Sequence, residues 1–250
     1  MILQEDSGGG EVRVVRRAPL EAVLRYVAWS MPPPLPVLPP GTRWLCRRKN
    51  LLNLVVEHPP QCRTLRISRG KKGEEDYHPF RLAFPYIIYV LTFYREGFEE
   101  MKMFFRNRPL SSPQDTLYHT NLPNVRGKPG HHGSQRVCLR YSPEMLEGMP
   151  LGQAVPALIE FFWSSGFNRD IEQSAFLWAT GRDPRVASFE AWEEASIRDP
   201  LFPLEVDWEE SGRNLPSLWA EALRVHGETE SEVTDAEELV DILYRLPFGY

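Results

Sequence analysis

Cysteine is scarce. The chain has three, Cys46, Cys62 and Cys138, an odd number without a C-x-x-C pair, which argues against a disulfide framework or a zinc ribbon and favours a reducing, cytoplasmic setting. Long apolar runs are also missing. The longest, Leu82 to Phe93 with only Thr92 polar, is well short of the about 20 residues that a membrane helix takes, so no membrane association is expected. The opening MILQEDSGGG lacks the basic-then-apolar order of a secretion signal. There is no G-x-S-x-G, no P-loop, no G-x-G-x-x-G after a strand and no H-E-x-x-H, so the common hydrolase and nucleotide chemistries lose their signatures. His119, His131 and His132 lie near Cys138 in sequence, but adjacent histidines point in different directions and no ligand spacing recurs. Neither a metal nor a cofactor is expected.

Proline, by contrast, is plentiful, with 23 in 250 residues against an average of roughly 5%. Such a chain favours short elements and extended connectors over a helical bundle. Six of the prolines fall between Pro32 and Pro40, a stiff extended connector that marks a boundary. The net charge of −5 is unevenly spread: nine basic residues stand against Glu57 alone from Arg43 to Lys72, and seven acids against Arg245 alone from Glu228 to Tyr250. The basic stretch can face nucleic acid, an acidic partner or the chain's own acidic end, or simply be solvated. Its only aromatic is Trp44, too few for a base-stacking platform, and a nucleic-acid partner is not expected.

Hydrophobic periodicity divides the chain further. Leu20 to Met31 has helical spacing behind Pro19. Thr42 to Arg48, Leu51 to His58 and Cys62 to Ser68 read as strands. FRLAFPYIIYVLTFY, residues 80–94, reads as a central strand covered on both faces, and Phe98 to Leu110 as its antiparallel partner. Ser111 to Arg136 has no period, and loops of that length are usually functional or mobile. Helical patterning then covers Val155 to Trp163, Ile171 to Ala179, Val186 to Ser196, Leu215 to Val225 and Ala236 to Leu246, the last behind Thr234 and Glu237 at capping-box spacing. Trp163, Trp178 and Trp192 fit packing anchors. The order helix, strands, long loop, helices is an α+β pattern, divided into residues 1–40, 41–180 and 181–250.

The long loop carries the chemistry. A cysteine thiolate is a strong nucleophile, so Cys138 is a candidate to accept an acyl group. An amide held near an acyl centre can stabilise the tetrahedral oxyanion, a role open to Asn124, with Pro123 positioning the turn. Both residues also have plain readings: Cys138 between Val137 and Leu139 as a small core hydrophobe, and Asn124 as a turn residue.

Leu122-Pro123-Asn124-Val125, then Val137-Cys138-Leu139, resembles the active-site segment of ubiquitin-conjugating enzymes. There a His-Pro-Asn-hydrophobic element precedes a hydrophobic-Cys-Leu triplet. FRNRPLSSPQDTLY before it and EGMPLGQAVPALIEFF after it agree with that family's order. The series LAFPYIIYVLTF, RPL, DTLY, LPNV and VCL is closest to the prokaryotic branch that contains the PRTRC system protein B group. This resemblance spans about Thr42 to Ala179. It implies an antiparallel β-meander with flanking helices, the ubiquitin-conjugating (RWD/UBC) fold, extended at both ends. It also implies thioester transfer of a ubiquitin-like protein through Cys138, with Asn124 and Pro123 at the site. The expected partners are a ubiquitin-like protein, an activating-enzyme-like protein and a deubiquitinase-like protein. Leu122 replaces the family's histidine, and the insert before Cys138 is longer than in the eukaryotic enzymes. An inert interaction module on the same fold is the alternative.

Overall fold

The computed structural model describes residues 2–6, 12–17, 37–68, 76–95, 97–126, 135–168, 176 and 179–227. The chain divides into two units, Met1–Val37 and Leu38–Tyr250. In the first, β1 (Ile2–Asp6) pairs antiparallel with β2 (Val12–Arg17). The sequence reading did not anticipate this hairpin, although three glycines separate the two runs and VRVV is rich in a β-branched residue. The expected helix from Leu20 to Met31, and most of the proline connector, lie outside the described residues.

The second unit is α+β. Its strands β3 (Thr42–Arg48), β4 (Leu51–His58), β5 (Gln61–Ser68), β6 (Tyr77–Phe84), β7 (Tyr86–Tyr94) and β8 (Gly97–Arg106) are antiparallel to their sequence neighbours wherever they pair. The predicted central strand over residues 80–94 is two strands. Pro85 falls between them with no N–H to give a ladder. After it β7 pairs with β4 and β8, while β6 pairs with β5 in a separate sheet. The main sheet thus runs β3, β4, β7, β8 in space, with the β5–β6 hairpin folded out between β4 and β7.

Short strands complete both sheets. β9 (Leu117–Tyr118) and β11 (Arg136–Val137) pair with β8, β10 (Val125–Arg126) pairs with β11, and β13 (Glu210–Arg213) with β9. β12 (Gly166–Phe167) runs parallel to β5. Gly166 is required there, because a Cβ would sit 2.5 Å from the Tyr77 ring. The helices are α1 (Leu151–Ser164), α2 (Phe189–Arg198) and α3 (Leu215–Val225), close to three of the predicted helical runs. The predicted helices at 171–179 and 236–246 fall largely or wholly outside the described residues.

β7 explains the layering. Its alternate residues Ile87, Tyr89, Leu91 and Phe93 join one core cluster with α1, α2 and the β5–β6 hairpin, whereas Ile88 and Val90 join another with Leu215 and Leu218 of α3. Helices therefore cover both faces of the main sheet. Buried tryptophans have their N–H groups satisfied: Trp163 donates to the Tyr89 hydroxyl at 2.7 Å, Trp192 to the Ala83 carbonyl at 2.8 Å and Trp208 to the Pro203 carbonyl at 2.9 Å. Trp178 lies outside the described residues. No helix among the described residues is long and apolar enough to cross a membrane.

Candidate functional site

The irregular segment after β8 is tied down. Arg106 donates to the carbonyls of Thr116 at 2.8 Å and Arg108 at 3.2 Å, and pairs with Asp115 at 3.1 Å. Asp115 in turn accepts from the N–H groups of Ser111 and Ser112. Burial pushes the Asp115 carboxyl up, but those two N–H groups and the Arg106 charge outweigh it and leave the pKa below its ordinary value. Farther along, the Ser211 hydroxyl donates to the Leu117 carbonyl at 2.6 Å, and the His119 N–H to the Glu209 carbonyl at 2.8 Å. The C-terminal region thus braces the loop that leads to the candidate site.

A turn follows. The Val125 N–H donates to the Leu122 carbonyl at 3.2 Å, with Pro123 at the second turn position, where its fixed φ is suited, and Asn124 at the third. From there the chain enters β10, which pairs with β11 through Val125 opposite Val137. One step beyond that pair, the Cys138 N–H donates to the Asn124 carbonyl at 2.8 Å. Asn124 and Cys138, 14 positions apart in sequence, are therefore neighbours through the ladder, and Pro123 is one residue away.

The Asn124 side chain is 7% exposed and engaged on both sides. Its amide N–H donates to the Gly166 carbonyl at 3.1 Å, and its carbonyl accepts from the Asn168 N–H at 3.2 Å. It thereby binds the segment after α1 to the turn. Cys138 is partly exposed, next to buried Val137 and to Leu139, which packs on the main core. Three residues on, the Tyr141 hydroxyl donates to the Phe98 carbonyl at 3.0 Å, and burial raises its pKa, with Glu99 adding to the rise.

Gln135 and Thr120 carry no recognisable motif, yet they organise the approach to Cys138. Gln135, buried with φ at +47°, accepts on its side-chain oxygen from the Thr120 N–H at 3.0 Å, and its carbonyl accepts from the Met103 N–H at 3.0 Å. Much of the insert before it, residues 127–134 with His131 and His132, lies outside the described residues. Among the described residues no group of three or more His, Cys, Asp and Glu side chains could hold a metal ion. Cys46 and Cys62 are away from this turn in sequence and sit on β3 and β5; burial pushes the Cys46 thiol up, against the Trp44 N–H bonded to its sulfur at 2.7 Å.

Among the described residues, the basic side chains of Arg43 to Lys72 have different surroundings. Arg43 pairs with Glu57 at 2.7 Å, Arg63 pairs with Glu160 at 2.9 Å, and Arg66 lies over the Tyr77 ring, while Arg47 and Lys49 line a cleft elsewhere. The sequence reading missed that cleft, since its wall is assembled from three separate segments, within residues 47–52, 93–98 and 146–154. No family model matches the chain, and neither a curated protein nor a solved structure matches it.

Proposed function

We propose that the second unit is a ubiquitin-conjugating-like domain whose Cys138 accepts the carboxyl end of a ubiquitin-like protein and passes it to an amine. The observation that supports this reading is the partly exposed Cys138, joined by its backbone to the Pro123-Asn124 turn. The order of elements, antiparallel strands, then turn, cysteine and helix α1, agrees with it. In the first step the Cys138 sulfur attacks the thioester carbonyl on an activating-enzyme-like donor; the new C–S bond replaces the old one, and the donor's thiol leaves with the proton. In the second, an amine attacks that carbonyl, the C–S bond to Cys138 breaks and the amine's proton is released. A deubiquitinase-like protein would reverse the modification.

The alternative reading is an inert interaction module on the same fold. It is favoured by the Asn124 amide, which is occupied by Gly166 and Asn168, and by Leu122 in the histidine position. The two separate on one experiment. The protein is incubated with ATP and a ubiquitin-like and an activating-enzyme-like protein from the same organism, and adducts are resolved without reductant. Conjugation gives an adduct that thiol removes and that Cys138→Ser converts to a thiol-resistant oxyester or abolishes; an inert module gives none with a partner set whose activating enzyme is itself charged.

A further inference from the structure

We infer that the cleft between the sheet turns and the start of α1 is a docking site for an acidic amphipathic segment, and that its occupant is this chain's own residues 228–250. The cleft holds about 380 Å³ and is assembled at one end of the main sheet, from the β3–β4 turn, the β7–β8 turn and the entry to α1. Its apolar lining comes from Leu52, Phe93, Phe98, Leu146, Leu151 and Ala154. Among the described residues, the charged side chains that line it are Arg47, Lys49 and Arg95, all three basic and all exposed. Among the described residues none of the three forms an ion pair, whereas Arg43, Arg63, Arg106, Arg185 and Lys102 all do. Basic groups without counter-charges beside partly exposed hydrocarbon call for an occupant with the opposite charge and an apolar face.

The chain supplies such a segment. Residues 228–250 contain seven acids against Arg245 alone. Read at helical spacing, Leu239, Leu243 and Leu246 share one side, and Glu237, Glu238 and Asp241 occupy other positions around the helix. The last described residues place the start of this segment at the same end of the sheet. α3 ends at Val225, and His226 stacks on Tyr94 with centroids 4.4 Å apart. Tyr94 is bonded directly to Arg95, on the cleft's rim. An extended chain covers about 3.5 Å per residue, so the stretch before Ala236 is ample to pass round the β7–β8 turn to the opposite face. Charge, apolar content, length and point of departure all agree. This inference does not depend on transfer chemistry at Cys138.

The test uses the full-length protein and a zero-length carbodiimide, which condenses a carboxylate with a lysine amine in contact, with loss of water. Peptide mapping of the monomer band is expected to show Lys49 coupled to Glu237, Glu238 or Asp241. Hydrogen exchange over residues 236–246 is expected to speed up at least about tenfold in R47E/K49E/R95E, and to a similar extent in the wild type at 1 M salt, where charges are screened beyond about 3 Å. Charge reversal at exposed Arg108 should change neither readout. Lys49 coupling confined to a dimer band would assign the cleft to a second copy and overturn the proposal. So would wild-type exchange that is indifferent to salt together with no coupling of Lys49 to the tail, a result that stands even if the triple variant fails to fold.

Discussion

Asn124 joins two segments 42 residues apart, the turn beside Cys138 and the exit from α1, through a buried side chain. Asn124→Ala leaves the Gly166 carbonyl and the Asn168 N–H without this partner, and a stability loss of about 1–3 kcal/mol is expected from urea unfolding. Asn124→Asp keeps the acceptor for Asn168 but turns a second oxygen toward the Gly166 carbonyl, and should cost at least as much. A purely catalytic asparagine would leave both unfolding curves unchanged. His58 offers a different handle. Burial, reinforced by the Arg63 charge and opposed by Glu160, lowers its pKa from 6.5. As pH falls below about 6.5 the unfolded chain takes up the proton first, so stability declines from there until the lower folded value is reached. His58→Gln is expected to flatten the urea midpoint between pH 7 and pH 5; an unchanged slope would assign it to other groups. The turn at Pro123-Asn124 was legible in the sequence because it depends on local chemistry. Engagement of Asn124 by Gly166 was not, because it needs α1 to bring residue 166 back, and no local pattern encodes that return.

At the scale of elements, the edge of β6 shows how the fold protects an exposed ladder. α2 lies along it and supplies side chains in place of a strand: Ser196 accepts the Ala83 N–H at 2.8 Å, Glu193 accepts the Arg81 N–H at 2.7 Å, and Trp192 donates to the Ala83 carbonyl. Ser196 also donates to the Trp192 carbonyl at 2.7 Å, so one hydroxyl links strand and helix. Ser196→Ala orphans a buried N–H and is expected to cost about 1–3 kcal/mol, with faster amide exchange at Ala83 as its local signature. Loss of stability without that exchange change would place the effect elsewhere. The longer elements of the second unit other than β6 and β7 were readable from period and punctuation. The limits of β4 follow from Leu51 to His58, and α3 from Leu215 to Val225, where Asn214 and Ser217 form a capping box. The break at Pro85 was hidden by its setting, an apolar run continuous on both sides of a residue that is itself apolar. β9 to β13 were illegible for another reason: two to four residues carry too few alternations to show a period, and their pairing is dictated by neighbours far away in sequence.

Across the second unit as a whole, one chain of charges runs beside the apolar contacts that already join β8 to α3 through Phe104, Leu215 and Leu218. Lys102 of β8, with its side chain 6% exposed, contacts Glu100 at 2.9 Å and Glu221 of α3 at 3.0 Å. Glu221 also holds Arg213 of β13 at 2.9 Å, and Glu100 approaches Arg136 of β11 at 3.8 Å. The links therefore pass from β13 through α3 and β8 to the strand that precedes Cys138. The members are not equivalent, because the lysine is buried while Glu100 and Glu221 retain 22% and 25% exposure. Removing both acids, in E100Q/E221Q, strands a buried ammonium and is expected to cost about 3–5 kcal/mol. Lys102→Met removes the buried charge itself and leaves two acids that water and their arginines still serve, so its loss should be less than half as large. Urea unfolding at pH 7 gives the order, and equal losses would mean that the lysine is hydrated. Acid supplies a second check. Burial raises the Glu221 pKa, but Lys102 and the nearby arginines outweigh it and hold the value below 4.5, so its contribution is complete above that pH and is lost as pH falls through the lower folded value. The wild type should therefore converge on E100Q/E221Q below pH 4.5, and curves that stay parallel would remove Glu221 from the account of acid stability.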